Sequence, residues 1–142
     1  MRALLDVNVL IALLDAAHVH HQRARTWLEA NVKHGWASCP ITENGCVRIL
    51  SQPAYPGHVA PGQAAVMLRN ATRTKHHAFL PDDASLLDET LFEWRSLMTA
   101  RQLTDAYLLA LAVRHKARFA TLDGRVARAV VPGADPRHLV II

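Results

Sequence analysis

Ala3-Leu4-Leu5-Asp6-Val7-Asn8-Val9-Leu10-Ile11-Ala12-Leu13-Leu14 is an apolar run interrupted twice, by an acid and by an amide. Its first residues suit a buried strand and the rest suits a short buried helix, so Asp6 falls at the C-terminal end of the strand. In open α/β sheets that edge is where ligands bind. The run is no membrane span, because Asp6, Asn8 and Asp15 break it well short of the roughly 20 apolar residues needed. It is also a poor signal peptide, with one Arg in front and no small-residue cleavage site behind. A cytoplasmic protein is the expectation.

Working outward, apolar periodicity returns from about His20 to Val32, with Ala24, Trp27 and Leu28 on one face. Trp36-Ala37-Ser38 reads as a second strand. Pro40 fits a first helical position, and that helix runs to about Leu50 with Glu43 in its first turn. Residues 51–62 hold three prolines and two glycines and read as a loop. Ala64 to about Thr74 reads as a helix, Ala78-Phe79-Leu80 as a short strand, and Leu86 to Ala100 as one or two amphipathic helical pieces. Thr104 to His115 is apolar nearly all round, which marks a central helix, and Thr104 suits its N-cap with Asp105 in the first turn. Arg118 to Thr121 and Leu139 to Ile142 read as strands, with an Asp123-Gly124 turn after the first of them. Strands alternating with helices give an α/β fold: one domain over residues 1–142, with a short central parallel sheet flanked by helices on both faces.

The 142 residues suffice for a sizeable core, and 51% hydrophobic content excludes a disordered chain. Lys plus Arg number 16 against 12 Asp plus Glu, a net charge of +4, with 13 of the 16 being Arg. The pI near 9.6 suits an anionic partner such as RNA or DNA, although so small a charge also serves solubility alone. Arg suits phosphate forks better than Lys. Arg23, Arg25, Arg48, Arg69 and Arg73 are the first candidates for RNA contact. Cys39 and Cys46, if both lie on one helix, stand about 10 Å apart, too far for a disulfide. Nine histidines match no zinc spacing and read as surface or capping residues. Trp27, Trp36 and Trp94 sit in apolar patterns and read as core or dimer interface.

Four acids occupy related places. Asp6 and Asp123 follow strands, Glu43 opens the helix after a strand, and Asp105 opens the central helix that leads into the strand before Asp123. Parallel strands would bring Asp6, Glu43 and Asp123 to one edge, where all four could converge, with the place of Asp105 set by the orientation of its helix. Two carboxylates 4 Å apart repel by about 4 kcal/mol at an effective dielectric near 20, and a hard divalent cation reverses that sign. All-oxygen ligation suits Mg²⁺ or Mn²⁺, and such a metal lowers the pKa of bound water and orients a phosphate. Taken singly, each acid also has an ordinary reading: a helix N-terminal anion for Asp6 and Asp105, a turn residue for Asp123, and a solvated helix face for Glu43.

The pattern resembles the PIN-domain ribonucleases, and within them the VapC-type toxins of bacterial toxin–antitoxin pairs. The matching motifs are Leu5-Asp6-Val7-Asn8-Val9-Leu10, Thr42-Glu43-Asn44-Gly45, Leu103-Thr104-Asp105-Ala106-Tyr107-Leu108 and Thr121-Leu122-Asp123-Gly124. The segment from His18 to Leu28 adds to them, so the likeness covers essentially the whole chain. It implies a metal-dependent endoribonuclease. Asp6 and Asp105 would ligate Mg²⁺ or Mn²⁺ directly, and Glu43 and Asp123 directly or through water. Asn8 and Thr121 would support them by hydrogen bonds. A metal-activated water would cut an RNA phosphodiester to leave a 5′-phosphate and a 3′-hydroxyl. The resemblance further implies a homodimer, a VapB-like antitoxin across the site, and operator DNA reached only through the antitoxin complex. Some members carry another acid two residues beyond the position of Asp123. Here that residue is Arg125, a candidate for phosphate contact.

Two other readings compete with the nuclease. One is a catalytically silent RNA- or antitoxin-binding module of the same fold. The other is a haloacid dehalogenase-type phosphatase, which also begins with an acid after its first strand. That class wants a second Asp where this chain has Asn8, and a phosphate-binding Lys where only Lys33, Lys75 and Lys116 exist.

Overall fold

Among the described residues five strands, all parallel, form one sheet in the order β3-β2-β1-β4-β5. They are β1 (Ala3–Leu5), β2 (Trp36–Ser38), β3 (His77–Phe79), β4 (Arg118–Thr121) and β5 (Leu139–Ile141). The helices are α1 (Val7–Leu14), α2 (His21–Asn31), α3 (Pro40–Leu50), α4 (Pro61–Thr72) and α5 (Leu103–Arg114). The structure is a computed structural model and describes residues 1–97 and 99–142.

Side chains alternate across the strands and divide the core into two layers, as the period of 2 requires. Leu4, Ala37 and Phe119 face α5, where Leu108, Leu109 and Leu111 are fully buried. Leu5, Trp36 and Ala120 face the opposite layer of α1, α3 and α4. Helix α5 buries seven consecutive residues, Ala106 to Ala112, which accounts for its uniformly apolar sequence. Each fully buried Leu contributes about 1.5–3 kcal/mol relative to exposure.

The order places the topological switch between β1 and β4. From β1 the chain leaves toward β2 and β3, and from β4 it leaves toward β5. Leu5 lies beside Ala120 in register, so Asp6 and Thr121 come next to each other where both strands end. The crevice expected of a doubly wound sheet therefore opens at these two residues.

Two expectations require correction. Residues 86–100 form no α-helix: turns and the short 3-10 segments Trp94–Ser96 and Ala100–Gln102 occupy this stretch, and the part of the expectation that falls on Met98 lies outside the described residues. Local side chains satisfy the backbone instead. Ser85 Oγ accepts from Leu87 N at 3.1 Å, and Asp88 Oδ1 accepts from Thr90 N at 2.9 Å. Such bonds compete with helix formation. Thr104 is also not the N-cap of α5, because the 3-10 turn Ala100–Gln102 runs straight into a helix that begins at Leu103. Smaller shifts move α4 three residues earlier, to Pro61, and β3 one residue earlier, to His77. Trp36 is buried, Trp27 lies under the Arg118 guanidinium at 5.4 Å, and Trp94 stands exposed beside Phe92. Cys39 precedes α3, Cys46 lies within it, and both are free and buried. Among the described residues no helix is long and apolar enough to cross a membrane.

Candidate active site

Asp6 is the N-cap of α1. Its backbone is extended, and its Oδ1 accepts from Val7 N at 2.7 Å. The bond satisfies the first of the N–H groups that a helix start leaves without a partner. Asp6 is only 6% exposed, and its second oxygen accepts from the Thr121 hydroxyl at 2.6 Å. That hydroxyl joins the whole edge. It donates to Asp6 and accepts from Asn8 Nδ2 at 3.1 Å and from Asp123 N at 3.0 Å. Asn8 Oδ1 accepts from Leu122 N at 3.2 Å, which fixes the orientation of its amide. Asn8 and Thr121 therefore hold the ends of β1 and β4 together. The residue a phosphatase would need as a second acid is here a structural amide.

Asp105, in the first turn of α5, comes into the field of Asp6 and Asp123. Burial raises its carboxyl first, and the two neighbouring carboxylates raise it further, to about 6. Asp6 is raised as well, by burial first and in smaller part by Asp123. Asp123 shows the reverse. Arg125 donates Nε to Oδ1 at 2.9 Å, Nη2 to Oδ2 at 2.8 Å, and its backbone N–H to Oδ1 at 2.9 Å. This fork pulls the Asp123 carboxyl down to about 2. Asp6, Asp105 and Asp123 thus form one electrostatic unit with Arg125 as its resident cation. Among the described residues no three Asp, Glu, His or Cys side chains close into a ready-made metal cage. The oxygens of Asp6 and Asp123 are instead occupied by the bonds just given.

Glu43 is bonded to a different set of residues. Its Oε1 accepts from the Ser38 hydroxyl at 2.7 Å, and Ser38 Oγ lies 2.8 Å from His77 Nε2. With the Ser38 proton on Glu43, the imidazole is the donor in the second bond. Burial lowers the His77 pKa, and Glu43 partly opposes that. Glu43 also lines a separate cavity of about 590 Å³ between α3 and α4, together with Asn44 and Arg69. Gly45, two residues on, packs against Val7 so closely that an added Cβ would sit 2.6 Å from Val7 Cγ2.

A second cleft, of about 340 Å³, holds Asp6, Asn8 and Asp105 together with His18 and Tyr55. Tyr55 donates its hydroxyl to the Asp15 carboxylate and so ties the loop after α3 to the turn after α1. Sequence reasoning missed His18, Tyr55, Ser38 and His77 as neighbours of the acids. Ser38 alone carried a signal, being a polar residue at the C-terminal end of a buried strand, on the same edge as Asp6. Among the arginine candidates, Arg23, Arg48, Arg69 and Arg73 are exposed, Arg25 is exposed and paired with Glu29 at 2.8 Å, and Arg125 is engaged by Asp123.

Comparison with known proteins gives the family and the fold. A family model described as PIN domain matches residues 3–131. The chain is 50% identical over 142 residues to Ribonuclease VapC44 of Mycobacterium tuberculosis, covering 100% of both chains. Its fold is similar to the crystal structure of VapBC2 from Rickettsia felis bound to a DNA fragment from its promoter, with a TM-score of 0.65 and 16% identity over 100% of this chain and 98% of that one. It is similar also to Mycobacterium tuberculosis VapC20, described as a sarcin–ricin loop cleaving toxin, with a TM-score of 0.62 and 17% identity over 94% of this chain and 99% of that one.

Proposed function

The chain belongs to the PIN-domain family, among the VapC ribonucleases, and from that premise we propose that it is the endoribonuclease toxin of a VapBC-type pair, cutting RNA with Mg²⁺ or Mn²⁺ at Asp6, Asp105 and Asp123. The observation that carries this reading is the gathering of three aspartates at the β1/β4 switch point, where burial first and then the charges of Asp6 and Asp123 raise Asp105 to about 6. Carboxylates held together against their own charge suit a hard cation, and the donor set is all oxygen. Asp6 and Asp105 would be direct ligands, and Asp123 and Glu43 direct ones or partners through water.

A bound divalent ion would supply Lewis acidity and a lowered pKa for attacking water. The chain's own residues supply the rest. Thr121 holds the Asp6 carboxylate by its hydroxyl, and Asn8 holds Thr121. Arg125 can serve either of two anions: a cation that takes Asp123 frees the guanidinium for an RNA phosphate. Arg23, Arg25, Arg48, Arg69 and Arg73 extend the positive surface for the strand.

A VapB-like antitoxin, a homodimer, and operator DNA reached through the antitoxin complex belong to the same proposal. The similarity to VapBC2 of Rickettsia felis, a complex bound to DNA from its own promoter, supports the antitoxin and the DNA. The cytoplasm is the proposed location, where the two buried thiols stay reduced. The test is cleavage of total bacterial RNA by antitoxin-free protein with Mg²⁺, with EDTA, and with Asp6→Asn. Discrete cuts that vanish with EDTA and with the variant are expected. Cuts that survive in Asp6→Asn would remove the aspartates from the chemistry, and RNA binding without cleavage under any metal would favour the silent binding module.

A further inference from the structure

The cleft beside the aspartates is larger and less polar than a phosphodiester needs. It measures about 340 Å³, within the range of about 300–1,000 Å³ that small-molecule pockets occupy. Asp6 and Asp105 close one end. Away from them the walls are Ile11 of α1, Ile49 of α3 and Tyr55. The Tyr55 hydroxyl is already committed to Asp15, so the residue offers this space only its ring. Apolar walls and an aromatic ring are poor company for a phosphate and good company for a flat group with a polar edge.

His18 supplies a polar contact for such an edge. Its Nδ1 lies 3.0 Å from the backbone N of His20. A backbone N–H only donates, so the neutral ring carries its proton on Nε2. Among the described residues no protein group takes that proton. The segment His18-Val19-His20-His21 thus has an organisation of its own: His20 fixes the tautomer of His18, and His21 Nδ1, 2.8 Å from the Ala12 carbonyl, pins the turn to the end of α1.

We propose that this cleft is a nucleobase pocket, taking one unpaired base of the RNA strand next to the cut phosphodiester, with Ile11, Ile49 and Tyr55 against its faces and the His18 Nε2–H donating to an acceptor on its edge. The proposal rests on the nuclease reading for the identity of the strand. It makes the substrate a loop or single-stranded segment, since only there does a base leave its stack at low cost.

The test uses the full chain with Ile methyl groups labelled, titrated with adenosine, cytidine, guanosine and uridine in the absence of divalent metal. Nucleosides lack phosphate, so the signal does not report phosphate contacts at the surface arginines. Saturable shifts of the Ile11 and Ile49 methyl signals are expected with at least one nucleoside. His18→Phe keeps a ring and loses the donor, and binding should weaken about threefold to tenfold. Ile49→Trp fills the space and should abolish the shifts at Ile11. Methyl signals that move for none of the four, or equal affinity in His18→Phe, would overturn the pocket. Cleavage of total RNA by the same preparation, with Mg²⁺ and with EDTA, separates the two readings. Metal-dependent cuts with unmoved methyl signals would overturn the pocket and leave the nuclease standing. Saturable shifts without cuts would leave a nucleobase pocket and overturn the nuclease.

Discussion

The Arg125 guanidinium lies against the Asp123 carboxylate in a parallel fork, at 2.9 and 2.8 Å, on a turn whose own N–H adds a third bond. An exposed cation two residues along the chain thus neutralises one acid of the cluster before any metal arrives.

Removing that cation should change both the titration and the metal affinity of the site. In Arg125→Ala the Asp123 carboxyl should rise from about 2 toward the ordinary carboxylate value, followed by carboxyl chemical shifts against pH. The sign for stability follows: a depressed folded pKa contributes stability that is present above the unfolded pKa and is lost as pH falls through the folded one. The acid side of the stability curve should therefore flatten between about pH 4 and pH 2 in the variant. Mn²⁺ should bind more tightly to Arg125→Ala, because it no longer competes with the guanidinium. An Asp123 titration unchanged by the substitution would remove the fork from the account.

Asp105 should behave in the opposite sense. Its folded pKa of about 6 lies above the unfolded value, so the metal-free folded chain binds a proton that the unfolded chain releases between about pH 4 and 6. Stability is highest below that window and falls as pH rises through 6. Asp105→Asn should thus stabilise the metal-free protein at pH 7.5 by of order 1–2 kcal/mol, with the gain vanishing toward pH 4. Thermal melts at the two pH values measure this. Mg²⁺ should raise the melting temperature of the parent and leave that of the variant nearly unchanged, since a ligand stabilises only the state that binds it.

Thr121→Val keeps the shape of the side chain and removes the hydroxyl that Asp6, Asn8 and the Asp123 backbone share. Leaving these buried partners unsatisfied costs about 1–3 kcal/mol, read as a lower urea midpoint. RNA cleavage should fall with it, because Asp6 loses its only hydroxyl donor among the described residues. Thr121→Ser should restore most of both. A Val variant with full stability and activity would show the hydroxyl to be incidental.

Much of this architecture was legible because local and global signals agreed. The acid after an apolar triplet marked the β1/α1 junction, and Pro40 marked the start of α3, which runs to Leu50 as expected. The uniformly apolar sequence of α5 identified the central helix. Residues 86–100 misled because their apolar spacing suits a helix, while Leu87, part of that spacing, is 91% exposed and Ser85 and Asp88 bond the backbone locally. The meeting of Asp6 with Asp123 was readable from two strand ends, while the part played by Thr121 came from the family resemblance alone. The engagement of Glu43 by Ser38 was not readable, nor was the close approach of Gly45 to Val7, since a single sequence does not display such contacts.

Gly45 gives that approach a measurable consequence. A Cβ there meets Val7 Cγ2 at 2.6 Å, and a β-branched residue in a helix has little rotamer freedom to retreat. Gly45→Ala should cost about 1–3 kcal/mol of overpacking despite the better helix propensity of Ala. Val7 N–H holds Asp6, so cleavage should fall further than stability alone accounts for, measured at a temperature where both proteins are folded. Stabilisation by Ala would mean that α1 and α3 stand further apart.

Glu43 offers the sharpest division of labour among the four acids. Its Oε1 is engaged by Ser38, and its charge is not among those that raise Asp6 or Asp105. In metal-free protein Glu43→Gln should therefore leave Asp105 titrating near 6, whereas Asp123→Asn should lower it by removing a like charge. Mn²⁺ calorimetry then separates a ligand that touches the ion from one that acts through water. Asp105→Asn should abolish measurable binding, and Glu43→Gln should weaken it by about tenfold, the range of an outer-shell partner. A loss in Glu43→Gln as complete as that in Asp105→Asn would instead require α3 to swing Glu43 off Ser38 and onto the metal, and the His77 titration, freed of its carboxylate neighbour, would shift on metal binding to report that movement.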